Sequence, residues 1–336
     1  MIGIICEYNP FHAGHAYHLR ESRRISSDRG VICAMSGSVT QRGEPAILDK
    51  WTRAEAAVRG GANLVLELPS PFACASAESF AHSGVELLAA TGIVDMLSFG
   101  SECGSLDELS AVSEPENLSE YLAQGLSWAE AMRRAGSPLL KLPNNLLGAY
   151  YLKALRGLDI QPLTVKRDMS LPTASELRKD MGGGLSNDRV VLAVLSRLRL
   201  EDWAALADVS EGLEYRLRRA ARSSRSVGEM LETVRTRRYS DARIRRIVLR
   251  GYLGITKDFG GAVPYLRVLS LDSIGAEMLK TMKKTAALPI ITKPASYRRL
   301  NARARAFFEL ERDITAFLNP ENPNFEREIT TGPVIV

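Results

Sequence analysis

Short apolar runs alternate with amphipathic stretches along the first 165 residues of the chain. IGIIC leads into an amphipathic stretch from about residue 13 to 25, and GVICAM leads into DKWTRAEAAVRGGA. LVLELP and VDMLSFG are also followed by helical patterns, and LDIQPLTVKRD precedes the helical start SELRKDM. Strands that alternate with helices in this way predict a parallel sheet with helical crossovers.

The pattern changes beyond about residue 187. Helical patterns such as NDRVVLAVLSRLRLEDWAALA and DARIRRIVLRGYLGI follow one another, with no clear strand before LPIIT. We therefore predict an α/β catalytic domain over residues 1–180 and a mainly helical domain over 187–336, with MGGG at 181–184 as linker. Loops at the carboxyl ends of parallel strands line the ligand crevice, which makes SGSVTQRGEP and FGSECGS candidate ligand loops.

The composition is that of a globular protein, with 45% apolar and 25% charged residues in 336. No run of about 18 apolar residues occurs, and the chain opens on a strand-like segment instead of a cleavable signal. We expect a cytoplasmic protein with no membrane partner, and no obligate protein partner is indicated. The four cysteines lack C-x-x-C spacing, so neither a zinc site nor a disulfide framework is expected.

The positive charge is unevenly distributed. Twelve arginines lie between Arg216 and Arg250 against three acids, while the net charge of the whole chain is +5. Guanidinium groups bind phosphates and stack on bases, and Tyr239 lies among these arginines. The region therefore predicts a nucleic-acid partner, with an ordinary solvated helix surface as the alternative.

Three of the four histidines, His12, His15 and His18, follow the first apolar run. At a turn from strand to helix, His12 and His15 lie on the same side of the first helical turn, beside backbone N–H groups that lack partners. Two imidazoles at that helix end are suited to holding nucleotide phosphates and stabilising charge on an attacked α-phosphate. Gly14 lets the backbone approach the phosphates. The alternatives are a metal site with Glu7 as a further ligand and histidines without a role.

Several motifs carry a resemblance to a known family. NPFHAGH resembles the H-x-G-H signature of the nucleotidyltransferase superfamily related to class I aminoacyl-tRNA synthetases. PNNLLGAYY at 143–151 is similar to its P-N-[DN]-x-L-G segment, and TASELR at 173–178 to the segment that closes over the triphosphate. Residues 35–69, with SAESFA, FGSE, TRRYSDARIRRIVL, PYLRVL and LPIITK, resemble the bacterial tRNA(Met) cytidine acetate ligase family nearly from end to end.

The resemblance implies a Rossmann-like nucleotidyltransferase sheet of the HUP type, α/β and parallel, with a helical C-terminal domain. It implies that ATP and acetate give acetyladenylate and pyrophosphate. The acetyl group then passes to N4 of the wobble cytidine of elongator tRNA(Met), which gives N4-acetylcytidine. ATP and Mg²⁺ are the expected cofactors, and Mg²⁺ is expected to bind through the phosphates and not through side chains.

The resemblance also implies site residues. His12 and His15 are the expected catalytic residues. The expected ATP-binding residues are Ile5, Cys6, Glu7, Tyr8, Asn9, Pro10, Phe11, His12, Ala13, Gly14, His15, Ala16, Tyr17, His18, Gly100, Asn145, Arg167, Ser175 and Arg178. From the arginine-rich region, and not from the resemblance, we expect Arg237, Arg238 and Arg243 to bind tRNA.

Each of these residues also has a structural interpretation. These alternatives are a turn for Asn145, a tight loop for Gly100, a solvated charge for Arg167, a helix cap for Ser175, an exposed charge for Arg178 and packing against its own helix for His18.

Further polar residues lie at strand ends and are weaker candidates. A loop that holds acetate or the target base, or that is only structural, contains Ser36, Gly37, Gln41, Arg42 and Gly43. Residues that either cap a helix or face the site are Asp49, Lys50 and Arg53. Glu67 is either a carboxylate aimed into the crevice or a buried group beside a partner.

Two other function classes compete with this interpretation. A small-metabolite adenylyltransferase uses the same H-x-G-H chemistry without RNA, but the long arginine-rich second half argues against it. An RNA-binding protein that has lost its chemistry is the second, and the intact His12, Gly14 and His15 argue against that class.

Overall fold

The computed structural model describes residues 1–111, 117–124, 126, 131, 134, 138–181, 185, 187–210, 212–236, 239–319 and 326–336. Its strands are β1 (Ile2–Cys6), β2 (Val31–Ser36), β3 (Leu64–Leu68), β4 (Met96–Ser101), β5 (Gln161–Lys166), β6 (Leu266–Leu271), β7 (Ile290–Ile291) and β8 (Val334–Ile335). Within the described ranges all eight belong to one sheet in the order β5-β4-β1-β2-β3-β6-β7, with β8 also paired to β6.

The helices alternate with the strands in the first half and follow one another in the second. They are α1 (Ala13–Ile25), α2 (Lys50–Arg59), α3 (Ser70–Ala73), α4 (Ala77–Ala89), α5 (Leu106–Ala111), α6 (Leu118–Ala123), α7 (Pro143–Ala154), α8 (Ala174–Met181), α9 (Asp188–Arg197), α10 (Leu200–Ala204), α11 (Leu213–Ser223), α12 (Val227–Val234), α13 (Asp241–Leu253), α14 (Ser273–Thr285), α15 (Ala302–Phe317) and α16 (Arg327–Thr330). Short 3₁₀ turns cover 138–141, 257–259 and 294–299.

The order of the strands determines where a ligand crevice forms. β1 lies between β2 and β4 and runs parallel to both, so the chain leaves β1 toward one side and returns to its other side. In open α/β sheets, ligands bind outside the carboxyl ends of the strands at such a switch point. The end of β1, with its histidines, and the end of β4 therefore border the crevice. The predicted α/β fold class is confirmed.

Each face of the sheet has its own apolar core. On one face, Ile4 and Cys33 belong to a buried cluster with Trp51 of α2. On the other face, Leu66 belongs to a larger cluster with Phe80 of α4. Strands buried on both faces carry apolar residues continuously instead of alternately, which is why IGIIC and LVLEL were recognisable as apolar runs.

The second half of the chain contributes to the same sheet. β6 pairs antiparallel with β3, and β7 and β8 pair with β6. The prediction that no strand precedes LPIIT is therefore wrong for residues 266–271. Arg267 and Ser270 interrupt the apolar run there, yet both are buried because their partners come from other parts of the chain. The division into domains 1–180 and 187–336 stays a prediction.

A buried cluster of charges joins the C-terminal segment to the sheet. The Nζ atom of Lys50 lies 2.5 Å from a carboxylate oxygen of Glu67 and 2.5 Å from one of Glu328. Arg267 donates to Glu67 at 3.2 Å and also to Glu328. Buried charges are tolerated when they are paired in this way. Glu67 is thus buried beside partners, which is the second of its two interpretations.

Among the described helices, none combines the length and the apolar character needed to cross a membrane.

Candidate active site

The turn between β1 and α1 presents His12 at the start of the helix. The chain passes Tyr8, which has φ of 46°, and the cis Asn9-Pro10 bond before it reaches His12, the N-cap of α1. The Nδ1 atom of His12 accepts a hydrogen bond from the backbone N–H of Gly14 at 3.0 Å. A Cβ atom at Gly14 would lie 2.9 Å from Cε1 of His12, so glycine lets the imidazole fold over the first turn.

The capping bond determines which form of His12 is present. Because Nδ1 accepts a hydrogen, neutral His12 carries its proton on Nε2, and that N–H remains a donor. Burial lowers the pKa of His12, and the nearby charges of Arg167 and Arg178 lower it further. His12 is therefore a neutral hydrogen-bond donor at neutral pH.

His15 lies directly beside His12. The two ring centroids are 3.8 Å apart with an angle of 32° between the planes, and the Tyr8 ring centroid is 4.7 Å from that of His15. Burial lowers the pKa of His15 to about 2, and His12 adds to this effect. Its Nδ1 atom is buried without a hydrogen-bond partner among the described residues. Buried polar atoms normally have hydrogen-bond partners, so the Nδ1 atom of His15 is a polar group of this turn that the described residues do not satisfy.

His18 faces the sheet and not His15. Its Nε2 atom lies 3.0 Å from Oγ of Ser98, which lies 2.7 Å from Oγ of Ser22. Ser22 donates its only hydroxyl hydrogen to the carbonyl of His18, so it accepts from Ser98. Ser98 therefore donates its hydroxyl hydrogen to Ser22, and its oxygen accepts a hydrogen bond from Nε2–H of His18. Burial lowers the pKa of His18 to about 4, and this neutral imidazole ties α1 to β4.

Basic side chains from two other elements lie over the β1–α1 turn. The Nη1 atom of Arg178 in α8 donates to the carbonyl of Asn9 at 2.8 Å, and its Nη2 atom donates to Oγ of Ser175 at 3.0 Å. Arg42 donates to the same hydroxyl at 3.3 Å. Ser175 and Arg178, which the sequence places about 160 residues from the histidines, are thus brought to the same turn.

Asn145 and Gly100 lie at the adjoining strand end. Oδ1 of Asn145 accepts from the backbone N–H groups of Glu102 and Cys103, at 2.9 and 3.2 Å, and its Nδ2 atom donates to the carbonyl of Leu139. The amide of Asn145 therefore shapes the turn after β4. Gly100 lies in β4 opposite β5, and a Cβ atom there would lie 3.5 Å from Cγ of Arg167.

Glu102 is a site residue to which the sequence assigned no role. Its carboxylate accepts from Nδ2 of Asn144 at 2.6 Å, from the backbone N–H of Asn145 at 2.9 Å and from Arg167 at 3.5 Å. The N-cap of α7 is Leu142, which has no capping side chain, and Glu102 supplies the missing acceptor. Two features of the sequence could have indicated this contact. The helix that begins at Pro143 has no capping side chain at Leu142, and an acidic residue, Glu102, follows the end of β4.

Arg53 holds the ends of β1 and β2 together. It is fully buried and donates to the carbonyls of Glu7 at 2.7 Å, Ser36 at 3.0 Å, Leu48 at 2.9 Å and Gly37. Burial lowers the pKa of Arg53 to about 10, so it stays charged. The planar fork of donors suits several carbonyls at once. Arg53 thus neither caps a helix nor faces the crevice.

The loop after β2 closes one side of the turn. Oε1 of Glu7 accepts from the backbone N–H of Gln41 at 2.7 Å, and burial raises the pKa of Glu7. Gly43 has φ of 78°, and a Cβ atom there would lie 2.5 Å from the backbone nitrogen of Arg246. The loop therefore packs closely against α13. Asp49 caps α2 through the N–H groups of Trp51 and Thr52.

The predicted RNA-binding residues are only partly described. Arg237 and Arg238 lie outside the described residues. Arg243 donates to the carbonyl of Asp208 at 2.6 Å and lies over the ring of the buried Tyr239, 4.8 Å from its centroid. The side chain of Arg243 is thus committed to contacts within the protein.

The remaining predicted ATP-binding residues belong to β1, to the turn that follows it and to the first turns of α1. Phe11 and Tyr8 pack edge to face with ring centroids 5.0 Å apart. Ile5 packs against Gly84 of α4, and Arg20 lies over the ring of Tyr17. Within the described residues, no group of three or more His, Cys, Asp or Glu side chains is arranged to hold a metal ion.

Comparisons with known proteins were made for the whole chain. The model of the HIGH Nucleotidyl Transferase family matches residues 1–183 and 186–329. A tRNA(Met) cytidine acetate ligase of Thermoanaerobacter sp. (strain X514) is 35% identical over 378 residues, covering 94% of this chain and 93% of that protein. The enzyme of the same name from Alkaliphilus metalliredigens (strain QYMF) is 33% identical, with 93% and 92% covered.

Two solved structures are similar over the full length. The crystal structure of Thermotoga maritima TmcAL bound with alpha-thio ATP matches with a TM-score of 0.89 and 29% identity, over 100% of this chain and 99% of that one. The apo form of the same protein matches with a TM-score of 0.88 over the same shares.

Proposed function

This chain belongs to the HIGH nucleotidyltransferases and, among them, to the tRNA(Met) cytidine acetate ligases, and from that premise we propose how its residues perform the two steps. The chain is an ATP-dependent ligase that acetylates the wobble cytidine of elongator tRNA(Met). The small-metabolite adenylyltransferase alternative has no support from the comparisons.

The first step joins acetate to AMP at the β1–α1 turn. A carboxylate oxygen of acetate attacks the α-phosphorus, the bond from that phosphorus to the bridging oxygen breaks, and pyrophosphate leaves with the electron pair. The Nε2–H of His12 donates to the phosphate oxygens as charge develops on them, and the positive end of the α1 dipole favours the same charge. The ring of His15 lies beside that of His12, with the two ring centroids 3.8 Å apart.

The positive charge that the triphosphate requires comes from arginines. Both histidines are neutral before the nucleotide binds, because burial lowers their pKa values. Arg178 and Arg42, which share the hydroxyl of Ser175, and Arg167 beside Glu102 provide fixed charge around the same turn. A bound triphosphate then raises the pKa of the imidazoles, since a nearby negative charge favours their protonated form.

We assign Mg²⁺ no protein ligand. As the resemblance implies, the ion would enter with the phosphates, where it would neutralise part of their charge.

The second step transfers the acetyl group to RNA. The N4 amine of the cytidine attacks the carbonyl carbon of acetyladenylate, the bond to the phosphate oxygen breaks, AMP leaves and the amine loses a proton. Both AMP and tRNA must then reach the same crevice, which lies at the carboxyl ends of β1 and β4. Since tRNA is the substrate, we place the reaction in the cytoplasm.

The observation that carries this proposal is the His12–His15 pair. Two neutral imidazoles lie in contact at the N-terminus of a 13-residue helix, at the switch point of a parallel sheet. A helix N-terminus with the Nε2–H donor of His12 and a second imidazole beside it is suited to phosphates and not to a neutral ligand.

The experiment follows label from acetate. Purified protein is incubated with ATP, Mg²⁺ and labelled acetate, with and without bulk tRNA. We expect label in the RNA only when tRNA is present, and N4-acetylcytidine after nuclease digestion. Absence of label from tRNA, with AMP transferred to a small metabolite instead, would contradict the proposal. Binding of tRNA and ATP without any turnover would contradict it equally, because that is the behaviour of a binding protein.

A further inference from the structure

Among the described arginines between residues 216 and 250, some are buried, some form ion pairs with acids and some are exposed without such a pair. Arg246 and Arg250 are buried, and Arg250 donates to the carbonyls of Cys74 and Pro71. Arg245 forms an ion pair with Glu44 at 2.7 Å. These arginines hold the helices against the first half of the chain, so only the remaining ones present charge to a partner.

The remaining charge is concentrated on α11. The residues of this helix that face the protein are small or apolar, namely Leu213, Leu217, Ala220 and Ala221. Its opposite side carries Tyr215, Arg219 and Arg222 at positions i, i+4 and i+7, with Arg218 alongside. The side chain of Tyr215 is 61% exposed, a large value for an aromatic residue.

We call Tyr215, Arg218, Arg219 and Arg222 the α11 arginine face. Among the described residues, no acid lies within ion-pair distance of its three arginines. Arg222 donates through Nε to the carbonyl of Ser196 at 3.2 Å, which leaves its Nη atoms without a partner within the described ranges. Three guanidinium groups in one helix face without acids repel one another unless an anion binds.

Other helices lie between this face and the loop after β2. α11 packs on α9, α10 and α12, and α9 and α12 pack on α13. α13 in turn touches the loop after β2 through Gly43 and Arg245. Helix axes pack about 8 to 10 Å apart, so roughly two helix layers separate the face from that loop. A ligand that reaches both must therefore be much larger than a nucleotide.

We propose that the α11 arginine face binds the sugar-phosphate backbone of the RNA substrate and that Tyr215 stacks on one of its unpaired bases. Guanidinium groups bind phosphates bidentately, and an exposed tyrosine beside them provides a base-stacking surface. The inference rests on the proposed function for the identity of the RNA as tRNA. None of the three residues expected from the sequence to bind tRNA belongs to this face.

Two other anionic partners fit this face less well. A membrane surface needs apolar side chains on the same helix to insert, and the apolar side of α11 is already buried in the protein. An acidic protein provides carboxylates for the arginines, but it has an aromatic ring for Tyr215 only where a Phe, Tyr, Trp or His happens to lie beside those carboxylates. RNA supplies both phosphates and unpaired bases.

Binding is measured by fluorescence anisotropy with a labelled transcript of elongator tRNA(Met) at several salt concentrations. The variant Arg219→Ala/Arg222→Ala removes two positive charges, and we expect its affinity for the transcript to be at least about tenfold lower. The slope of log affinity against log salt concentration should also be shallower, by the amount that corresponds to about two lost phosphate contacts. The control Arg59→Ala/Lys280→Ala removes the same charge from two exposed residues that pair with acids elsewhere. It is expected to change affinity less than about threefold.

Tyr215 tests the stacking contact separately. Tyr215→Ala should lower affinity about tenfold without changing the salt dependence, and Tyr215→Phe should restore it, because the ring is what stacks. Equal affinity of Arg219→Ala/Arg222→Ala and its control, or no rescue by phenylalanine, would overturn the proposal.

Failure of this inference can be distinguished from failure of the proposed function. Acetate-dependent exchange of pyrophosphate into ATP should be unchanged in every one of these variants. Suppose that the wild-type protein acetylates tRNA and that the Arg219→Ala/Arg222→Ala variant has an unchanged KM for tRNA. The proposal that the α11 arginine face binds RNA is then wrong, and the proposed ligase function is unaffected. If the wild-type protein binds the transcript through the α11 arginine face but never acetylates it, the proposed ligase function is wrong. The proposal that this face binds RNA is then unaffected.

Discussion

The neutral state of His18 predicts a loss of stability in acid. Its pKa is about 4 in the folded protein because it is buried against Ser98, whereas an unfolded histidine has a pKa of about 6.5. Between these two values the unfolded chain binds a proton that the folded protein does not bind. The free energy of unfolding therefore falls as the pH decreases below about 6.5, and the loss is complete near pH 4.

The magnitude follows from the two pKa values. At pH 5 the pH is about 1.5 units below the pKa of the unfolded imidazole, so the unfolded chain binds the proton. At 1.36 kcal/mol per unit, this lowers the free energy of unfolding by about 2 kcal/mol. His15, with a pKa of about 2, adds a loss of similar size. Glu311 acts in the opposite direction, because burial raises its pKa to about 8 and the folded protein takes up a proton there as the pH falls.

The variant His18→Gln isolates one histidine from these other groups. Its amide keeps an N–H donor for Ser98 but does not titrate. Urea unfolding followed by tryptophan fluorescence gives the free energy of unfolding of both proteins at pH 7 and pH 5. We expect the wild-type protein to lose about 2 kcal/mol more than the variant over this range, since the contributions of His15 and Glu311 cancel in the difference. The same pH dependence in both proteins would refute the buried, neutral state of His18.

Three further substitutions have defined outcomes. Gly14→Ala places a Cβ atom 2.9 Å from Cε1 of His12 and displaces the imidazole, so acetate-dependent pyrophosphate exchange should fall at least about tenfold with little change in the melting temperature. Arg53→Lys removes the guanidinium group that donates to carbonyls at the ends of β1 and β2. Chemical denaturation should show that the free energy of unfolding falls by about 2 to 3 kcal/mol. Glu102→Gln weakens the contact to Arg167, and the KM for ATP should rise more than kcat falls, as steady-state kinetics will show.

The part of the site that is local in sequence was predictable. His12 and His15 are three residues apart at a turn from strand to helix, and that spacing alone puts them on one side of α1. The parallel sheet was predictable for the same reason, since β1 to β3 are each a nearly continuous apolar run followed by a helix. In both cases the pattern and the contact lie within a few residues of each other.

Contacts between distant segments were not predictable. Arg53 acts through backbone carbonyls, which carry no sequence signal, and Glu102 acts through a helix start that is more than 40 residues away. Arg243 looked like an RNA contact because its neighbours are arginines, but it binds the carbonyl of Asp208. His18 resembles the other two histidines in sequence and differs only in the strand that it faces.

The central claim is that the triphosphate of ATP binds at the His12–His15 pair, and the most direct measurement is acetate-dependent exchange of labelled pyrophosphate into ATP. The exposed His82 in α4 gives a matched control, because His82→Ala removes an imidazole to which no part in binding ATP is assigned. We predict that His12→Ala and His15→Ala each slow the exchange at least about tenfold, while His82→Ala leaves it unchanged. Wild-type exchange rates in both His12→Ala and His15→Ala would contradict the account.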